Sequence, residues 1–364
     1  MPSIISIGEC FIEFFTPKLF SETNSYERSF SGDTLNVLTM ASKLGSSCGY
    51  ISKVSDDELG DFLLDSWQEL EIDTSQVKQM RGFNAIEFYS TQPKGQSSVI
   101  VYRKESVASK IDENDIEESY ISNSRILHVS GISQGISETS RKAVLKAVKI
   151  AKSNSVTVSY DTNYRDYLWS DTKEARRAMD EIIDYVDIIF PTHPNEPTKL
   201  LGTNDPDKIY NYFTGKNVNK LILKCGSKGV IAYGDNRKYV STAIAPKGVM
   251  DPRGAGDTFV GAYLHCMNND LDMTTSLQWA TTAAGIKVGG RSIIAQPSIT
   301  EIKKHLKEQG FEKDEIKVLI RKNIQKDKDK KVAIKEKREA KKQKQETKKQ
   351  KQEAKKQKQQ AKKK

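Results

Sequence analysis

Residues 251–262 read DPRGAGDTFVGA and combine small residues with one acid in a pattern suited to phosphate chemistry. A Gly-Ala-Gly stretch at 254–256 precedes Asp257, and the residues that follow have the spacing of a buried helix. A helix that begins on small residues leaves backbone N–H groups free, and its dipole favours an anion there. Asp257 is then near enough to accept the proton of a hydroxyl that attacks a bound phosphate. An aspartate that only caps the helix is the alternative.

Other catalytic chemistries find little support in the sequence. The Walker pattern GxxxxGK[ST] does not occur, and the four histidines lack HxxxH or HExxH spacing, so neither a P-loop nor a zinc enzyme is indicated. Four scattered cysteines favour reduced thiols and a cytoplasmic protein: Cys10, Cys48, Cys225 and Cys266. The N-terminus lacks a basic segment and no apolar run reaches about 18 residues, so we expect neither secretion nor a membrane span.

The charge of the chain is divided unevenly. The 364 residues carry a net charge of +10, yet residues 1–320 hold 37 basic and 42 acidic side chains. Residues 321–364 hold 21 basic against 6 acidic ones, and a seven-residue unit, EAKKQKQ or ETKKQKQ, repeats there without an apolar position. A coiled coil would have no seam to bury, so we expect 311–364 to be a disordered or solvated helical tail. A solubilising role is favoured over binding of nucleic acid or another polyanion.

Strand and helix patterns alternate along the rest of the chain. Strands are predicted at 3–8, 48–54, 126–129, 157–160, 188–190 and 220–224, and helices at 34–44, 56–71, 138–154, 171–185 and 259–267. Such alternation is typical of parallel βαβ units, so residues 1–310 are predicted to form an α/β domain, a three-layer α/β/α sandwich. Residues 84–103 break this rhythm with strand patterns around a polar turn. They predict a small β-sheet lid, with strands within about 10–30 and 84–103.

The segment 251–262 resembles the C-terminal signature of the ribokinase-like (PfkB) carbohydrate kinases, D-T-x-G-A-G-D-x-F, with Pro252 at the threonine position and Arg253 at the free one. Three further stretches resemble the family in the same order: SGDTLNVLTMASKLG (31–45), KVSDDELGDFL (53–63) and LKCGSKG (223–229). The similarity covers about residues 3–308. It implies a ribokinase-like fold, ATP as phosphoryl donor, Mg²⁺, and Asp257 as the catalytic base that also contacts the substrate.

Two other stretches, VYRKESVAS (101–109) and DTNYRDYLW (161–169), resemble 2-keto-3-deoxygluconate kinases, particularly the archaeal ones. The resemblance implies that Tyr102, Arg103 and Arg165 bind the substrate. A keto-deoxy sugar acid carries a carboxylate, which guanidinium groups recognise through charge-assisted, often bidentate hydrogen bonds. Surface solvation or salt bridges to adjacent acids are the alternative for both arginines.

The resemblance also implies the other contacts of the two ligands. Gly32 would let the sugar pack against bare backbone, and Asn36 would bond a sugar hydroxyl. The ATP side would be formed by Asn163, Lys224, Gly226, Ser227, Gly229, Gly254, Ala255 and Gly256. Two alternatives stay open: the Asn36 amide could serve as a cap or be satisfied within the core, and the glycines of 226–229 could form a plain β-turn.

The chain departs from the family at two places. Many members carry an Asn-x-x-Glu motif whose glutamate organises magnesium and water, whereas PNEPTKLL (194–201) has Thr198 at the fourth position and Glu196 two residues early. We therefore assign no metal ligand. Where 2-keto-3-deoxygluconate kinases tend to have an acid near the end of the substrate site, the stretch GGRSIIAQP offers Arg291 and Ser292.

These features predict an ATP-dependent kinase that phosphorylates the terminal hydroxyl of 2-keto-3-deoxygluconate, with 2-keto-3-deoxygalactonate as a further candidate. A fructokinase or other neutral-sugar kinase of the same family is the first alternative. A non-catalytic protein that binds sugars or polyanions is the second. We also expect a homo-oligomer, because the exposed edge strands of a lid are prone to pair with another subunit.

Overall fold

The structure, a computed structural model, describes residues 1–91, 97–244, 248–291 and 295–310. The predicted tail at 311–364 and Ser292 lie outside these residues. Met1–Glu308 form one unit by their internal contacts. Within the described ranges, no helix is both long enough and apolar enough to cross a membrane.

Thirteen strands occur in these ranges: β1 (Ile4–Ile7), β2 (Phe11–Thr16), β3 (Glu27–Ser31), β4 (Cys48–Ser55), β5 (Ile72–Met80), β6 (Ala85–Thr91), β7 (Ser97–Tyr102), β8 (Ile126–Ser130), β9 (Thr157–Asp161), β10 (Ile188–Ile189), β11 (Lys220–Lys224), β12 (Val230–Gly234) and β13 (Arg237–Ser241). Nine of them form the central sheet, in the order β13-β12-β11-β10-β9-β8-β1-β4-β5. All neighbours from β11 to β5 are parallel, whereas β12 and β13 extend one edge antiparallel. Most of the parallel strands are buried because helices cover both faces.

Eleven helices accompany the strands in the same residues: α1 (Asp33–Lys43), α2 (Glu58–Glu69), α3 (Glu118–Ser122), α4 (Gly131–Gly135), α5 (Glu138–Ser153), α6 (Thr172–Ile182), α7 (Asn195–Leu201), α8 (Pro206–Thr214), α9 (Ala255–Asn268), α10 (Met273–Lys287) and α11 (Ile299–Glu308). One layer is formed around α1, α9, α10 and α11, which pack on one another, and the other around α5 with α3, α4 and α6. The predicted three-layer α/β/α sandwich is thus confirmed.

The remaining four strands form a separate small sheet in the order β3-β2-β6-β7, in the two segments where the sequence predicts the lid. Strands β2 and β6 run parallel, and Glu13 lies directly opposite Glu87 in their register. Side chains alternate between the faces of a strand, so these two acids share one face of the lid with Tyr89. The lid therefore carries a pair of acids on that face.

The connectivity of the central sheet explains where a ligand can bind. From β1 the chain passes through the lid and α1 to β4 on one side, and it returns to β8 on the other side of β1. The carboxyl ends of parallel strands form a crevice at such a change of direction, and ligands of open α/β sheets bind there. Glu9, Asp161 and Lys224 lie at or just beyond the ends of β1, β9 and β11.

Candidate functional site

Helix α9 begins at Ala255, four residues before the predicted start at 259, and this shift puts Asp257 in its first turn. Gly254 is the N-cap and has a φ of 69°, a left-handed conformation that favours glycine. The backbone amides at this helix start, residues 254–257, are called the cradle below; that of Ala255 donates to the Pro252 carbonyl over 3.3 Å. The capping role considered for Asp257 falls to Gly254, because the Asp257 carboxylate instead accepts a hydrogen bond from another helix.

That donor is Asn36, which lies on α1. Its Nδ2 donates to Asp257 Oδ2 over 2.7 Å, and its Oδ1 accepts the Gly32 N–H over 3.4 Å. The amide is buried and held at both ends, so it fixes the position of the Asp257 carboxylate. At Gly32, an added Cβ would lie 2.4 Å from the carbonyl oxygen of Glu9, so the approach of two backbones already requires glycine there. Contact of Gly32 with a sugar stays a prediction.

The surroundings of Asp257 adjust its proton affinity. Burial raises the pKa of Asp257 to about 7, and the negative charges of Asp33 and Asp161 add to this effect. The hydrogen bond from Asn36 and the charge of Lys224 act in the opposite direction. A carboxyl group with a pKa near neutrality is suited to accept a proton during catalysis and is typical of functional sites.

Lys224 supplies a cation beside the cradle. Its ammonium forms an ion pair with the carboxylate of Asp161, which is almost completely buried. An added Cβ at Gly256 would lie 3.6 Å from Lys224 Nζ, so a side chain at this position would begin to fill the space between them. Burial lowers the pKa of Lys224, but the charges of Asp161 and Glu196 outweigh it and the net shift is upward. A charged ammonium and free helix amides together form an anion-binding arrangement.

Glu196, the acid that stands two residues early in the motif, lies beneath the strand ends. It is 5% exposed, and burial raises its pKa. Its Oε1 accepts the Tyr164 N–H over 3.0 Å, and its Oε2 accepts the Thr192 N–H over 2.7 Å and the hydroxyl of Thr162. Thr198, at the fourth position, is exposed, and its hydroxyl donates to the Pro194 carbonyl. Glu196 therefore anchors the loops after β9 and β10.

The acids near the cradle do not form a ready metal cage. No group of three His, Cys, Asp or Glu side chains in the described ranges converges as a metal centre would. One oxygen of Asp161 binds Lys224 and the other accepts the Asn163 N–H. Mg²⁺ usually keeps several waters and binds through one or two carboxylates plus substrate phosphates. Asp161 and Glu196 are the acids that would face such an ion if it were bound with a nucleotide.

A second charged pair lies below the lid. Arg103, just after β7, forms an ion pair with the buried carboxylate of Glu9, just after β1. Nε and Nη1 of Arg103 and Oε2 of Glu9 are buried and have no partner among the described residues. The guanidinium carbon lies 4.9 Å from the ring centroid of Phe11 and 5.7 Å from that of Tyr167. Unpaired buried donors are costly, so these two nitrogens mark a place for an acceptor such as a carboxylate.

Arg165 is close to this pair. It is exposed and lies just after β9. Burial, and then the like charge of Arg165, lowers the pKa of Arg103, whereas Tyr167 opposes this. The charges of the two arginines that the sequence predicts to bind the substrate are thus close enough to interact.

Tyr102 is not brought together with them. It lies opposite Ile86 in the lid register and is 60% exposed, on the face that carries Phe88 rather than Glu87. Its ring contacts Phe88 at a centroid distance of 6.3 Å. Contact of Tyr102 with a substrate in the same chain is therefore not supported by its position.

The residues predicted to contact ATP differ in burial: Asn163 is buried at the end of β9, whereas the turn after β11 is largely exposed. Asn163 is buried, has a φ of 31°, and donates to Asp33 over 3.2 Å, which ties the end of β9 to the start of α1. Gly226 and Ser227 are exposed in the turn after β11. A Cβ at Gly229 would lie 2.0 Å from the Ser241 carbonyl oxygen, so the hairpin itself requires that glycine. ATP contact by this turn stays a prediction.

Sequence reasoning missed Glu9, Asp33 and Asp161 as members of the site. Glu9 and Asp161 each stand at the end of a buried strand pattern, and this placement is the signal that could have found them. Asp33 stands at the start of a helix, where an acid is common for reasons of capping alone. All three bear on the site through charge: Asp33 and Asp161 raise the pKa of Asp257, and Glu9 holds Arg103.

Solved structures share this architecture. An Escherichia coli protein described as a ribokinase II, solved with ATP and Mg²⁺, superposes with a TM-score of 0.78 over 85% of this chain and 100% of its own, at 24% identity. The 2-dehydro-3-deoxygluconokinase of Thermotoga maritima gives a TM-score of 0.77 over 84% of this chain and 100% of its own, at 21% identity. At these identities the likeness establishes the fold.

Sequence relatives extend the likeness. The 2-dehydro-3-deoxygluconokinase of Thermoproteus tenax is 30% identical over 297 residues, covering 80% of this chain and 90% of its own. The 5-dehydro-2-deoxygluconokinase of Clostridium botulinum (strain Eklund 17B / Type B) is 27% identical over 316 residues, covering 84% and 93%. The profile of the pfkB family carbohydrate kinases matches residues 1–301. The chain therefore belongs to the pfkB family of carbohydrate kinases, enzymes that transfer a phosphoryl group to a sugar hydroxyl.

Proposed function

We propose that this kinase uses ATP to phosphorylate the terminal hydroxyl of a keto-deoxy sugar acid, 2-keto-3-deoxygluconate (2-dehydro-3-deoxygluconate). The observation that carries the proposal is Arg103, whose Nε and Nη1 are buried without partners. Arg165 adds a second positive charge nearby. A substrate carboxylate would satisfy donors that a neutral sugar could satisfy only with weaker, uncharged acceptors. The names of two relatives, which act on keto-deoxy sugar acids, agree with this choice.

The phosphoryl transfer itself would depend on Asp257 and the cradle. With the carboxylate of the sugar at Arg103 and Arg165, the hydroxyl at the far end would lie toward Asp257. Asp257 accepts the hydroxyl proton as the oxygen attacks the γ-phosphorus, and ADP leaves with the bridging oxygen. The amides of 254–257 and the Lys224 ammonium stabilise the charge on the transferred group. Asn36 holds the Asp257 carboxylate in place through its 2.7 Å hydrogen bond.

Magnesium would enter with the nucleotide. Asp161 and Glu196 are the acids that would face it through water, since protein donors already occupy their oxygens. The ion would neutralise charge on the phosphates and orient them. Support for Mg²⁺ comes from the fold relative solved with ATP and Mg²⁺. The lid would exclude water from the site and so limit ATP hydrolysis.

A coupled assay of ADP release tests the substrate. The panel is 2-keto-3-deoxygluconate, 2-keto-3-deoxygalactonate, 5-dehydro-2-deoxygluconate and fructose, each with ATP and Mg²⁺. We expect the highest kcat/KM with 2-keto-3-deoxygluconate and a clear preference for acids over fructose. Turnover of fructose alone would support the neutral-sugar alternative, and turnover of none would support a binding protein. Preference for 5-dehydro-2-deoxygluconate would keep the reaction class but overturn the substrate.

We further propose that the outer face of the lid binds a second copy of the chain. This face carries an aromatic cluster in which Phe88 contacts Phe14, Tyr26 and Tyr102. Ile100 and Tyr102 on β7 are 43% and 60% exposed, and β7 is an edge strand of its sheet. An exposed edge with apolar side chains is prone to pair with another strand. Sedimentation analysis should show a dimer for the wild-type chain and a monomer for Ile100→Lys. A wild-type chain that is itself monomeric would contradict the proposal.

A further inference from the structure

Arg253, at the free position of the family signature, connects the lid to the segment that precedes the cradle. Its Nη1 lies 2.6 Å from Glu87 Oε1 and 3.2 Å from Glu13 Oε2, one acid on each of two lid strands. Its Nη2 lies 3.3 Å from Asp251 Oδ2, two residues earlier in the chain. The guanidinium carbon lies 3.0 Å from the ring centroid of Tyr89, which is also on the lid. One side chain thus joins β2, β6 and residues 251–253.

The acids held by Arg253 would repel one another without it. Glu13 and Glu87 are directly opposite in the parallel register of β2 and β6, and like charges in that position are destabilising. Glu13 and Asp251 are also almost completely buried. The planar guanidinium presents five donors in a fixed fork that reaches acids on separate segments, whereas lysine presents three donors at one point. The contact between the lid and residues 251–253 therefore depends on the shape as well as the charge of this side chain.

The same residue lies directly before the start of α9. Arg253 directly precedes Gly254, and its own N–H donates to Asp251 Oδ1 over 3.0 Å. Behind this turn, the buried ammonium of Lys287 donates to the Asp251 carbonyl over 3.0 Å. Asp251 is thus held by Arg253 and Lys287, and the residue directly before the left-handed Gly254 is the one that the lid acids contact.

We propose that Arg253 is a positioning residue that couples the lid to the cradle, so that the lid is held over the site only when residues 254–257 have their catalytic geometry. In the reaction, an Arg253 variant would close its lid less often and hold Asp257 and the amides less accurately. The inference rests on the proposed roles of Asp257 and the cradle. Its first test therefore uses the protein without ligands, so that a failure of the coupling is distinguishable from a wrong substrate.

The test compares Arg253→Lys with Arg176→Lys in the full chain. Arg176 is a matched control: it is equally half-buried, pairs with Asp180 over 2.8 Å and stacks on Tyr212, but it lies on α6. Lysine keeps the charge, so the variants should fold. By hydrogen–deuterium exchange, Arg253→Lys should raise exchange about tenfold or more in 11–16, 85–91 and 254–258 together. Exchange in β8 and β9 should stay unchanged, and Arg176→Lys should leave all these segments as in the wild type.

Kinetics with the sugar acid identified by the panel provide the second readout. Arg253→Lys should lower kcat at least tenfold and raise the KM of the sugar, with a melting temperature within a few degrees of the wild type. Glu87→Gln should act in the same direction, and the double variant should be little worse than Arg253→Lys alone, because both remove one connection. Unchanged exchange in either the lid or 254–258, or additive effects of the two substitutions, would overturn the proposal.

Discussion

The side-chain amide of Asn36 donates a 2.7 Å hydrogen bond to Asp257, and this contact joins the first turns of two helices separated by 221 positions in the sequence. Helix α1 follows the lid strands β2 and β3, whereas α9 follows residues 251–254. Because the bond is to the charged form of the carboxyl, it lowers the pKa of Asp257 against the stronger effect of burial. Asn36 is therefore part of what keeps Asp257 ionised near neutral pH.

Replacing Asn36 by leucine should move the acidic limb of the pH profile upward. Asp257 accepts a proton only in its ionised form, so kcat/KM of the wild type should fall as the pH drops through about 7. Without the bond from Asn36 the pKa rises further, and the limb should shift to higher pH. Asn154→Leu, at the exposed end of α5, is the control and should leave the profile unchanged. A limb that stays in place would contradict this role of Asn36.

If Arg103 binds the substrate carboxylate, Arg103→Met should weaken binding of the sugar acid but not of ATP. Removing a charge-assisted hydrogen bond costs about 1.5–3 kcal/mol, so the KM of the sugar acid should rise roughly tenfold to a hundredfold. The KM of ATP should change little. Arg125→Met removes a surface pair with Asp270 and should leave both constants unchanged. Equal losses for the sugar acid and for fructose would mean that Arg103 supports the fold rather than the carboxylate.

Lys224 should both stabilise the fold and contribute to ATP binding. Lys224→Met leaves Asp161 buried without its cation, which should lower the free energy of unfolding by about 3–5 kcal/mol. The matched variant Lys152→Met breaks a pair with Asp187 in which the lysine is 43% exposed, and should cost about 0–1 kcal/mol. Denaturant unfolding measures both. The soluble fraction of Lys224→Met should also show a raised KM for ATP; equal stability losses in the two variants would contradict the assignment.

Glu196 stands two residues before the position at which the family motif has glutamate, and Thr198 occupies that position. Substitution of each residue tests which of the two positions serves Mg²⁺. Glu196→Gln retains an acceptor but places an amide among three donors, so it should disturb the loops after β9 and β10 and raise the Mg²⁺ concentration needed for half-maximal rate. Thr198→Ala removes only an exposed hydroxyl bonded to its own helix, and its rate at limiting Mg²⁺ should match the wild type. A larger effect of Thr198→Ala than of Glu196→Gln on the Mg²⁺ requirement would show that position 198, not Glu196, serves the metal.

Part of the order of strands and helices could be predicted from the sequence, because most of the parallel strands are short apolar runs between helix patterns. The edge strand β5 reads IDTSQVKQM and was not predicted, since its polar side chains give no apolar run. The start of α9 was predicted four residues late, because glycine and alanine carry no periodic signal and the turn depends on Gly254. The lid strands were recognisable only as a break in the pattern. Their pairing, including Glu13 with Glu87, depends on contacts between distant segments.

The site was predictable to the extent that local motifs carry it. Asp257 and the cradle lie in one short segment, and Arg103 and Arg165 were found through similar stretches in related kinases. The partners that adjust them, such as Glu9 for Arg103 and Asp161 for Lys224, come from other strand ends and have no local signal. Arg253 occupies a position that the family leaves free, so its three acids could be recognised only from the fold.

The most direct measurement is single-turnover phosphorylation by Asp257→Asn, together with calorimetric binding of the sugar acid. Asparagine keeps the size of the side chain and can still bond to Asn36, but it cannot accept the proton. The rate of phosphoryl transfer should fall about 10²- to 10⁴-fold and lose its acidic limb, while sugar binding stays within a few-fold of the wild type. A variant that transfers phosphate at the wild-type rate, with the same dependence on pH, would contradict the account.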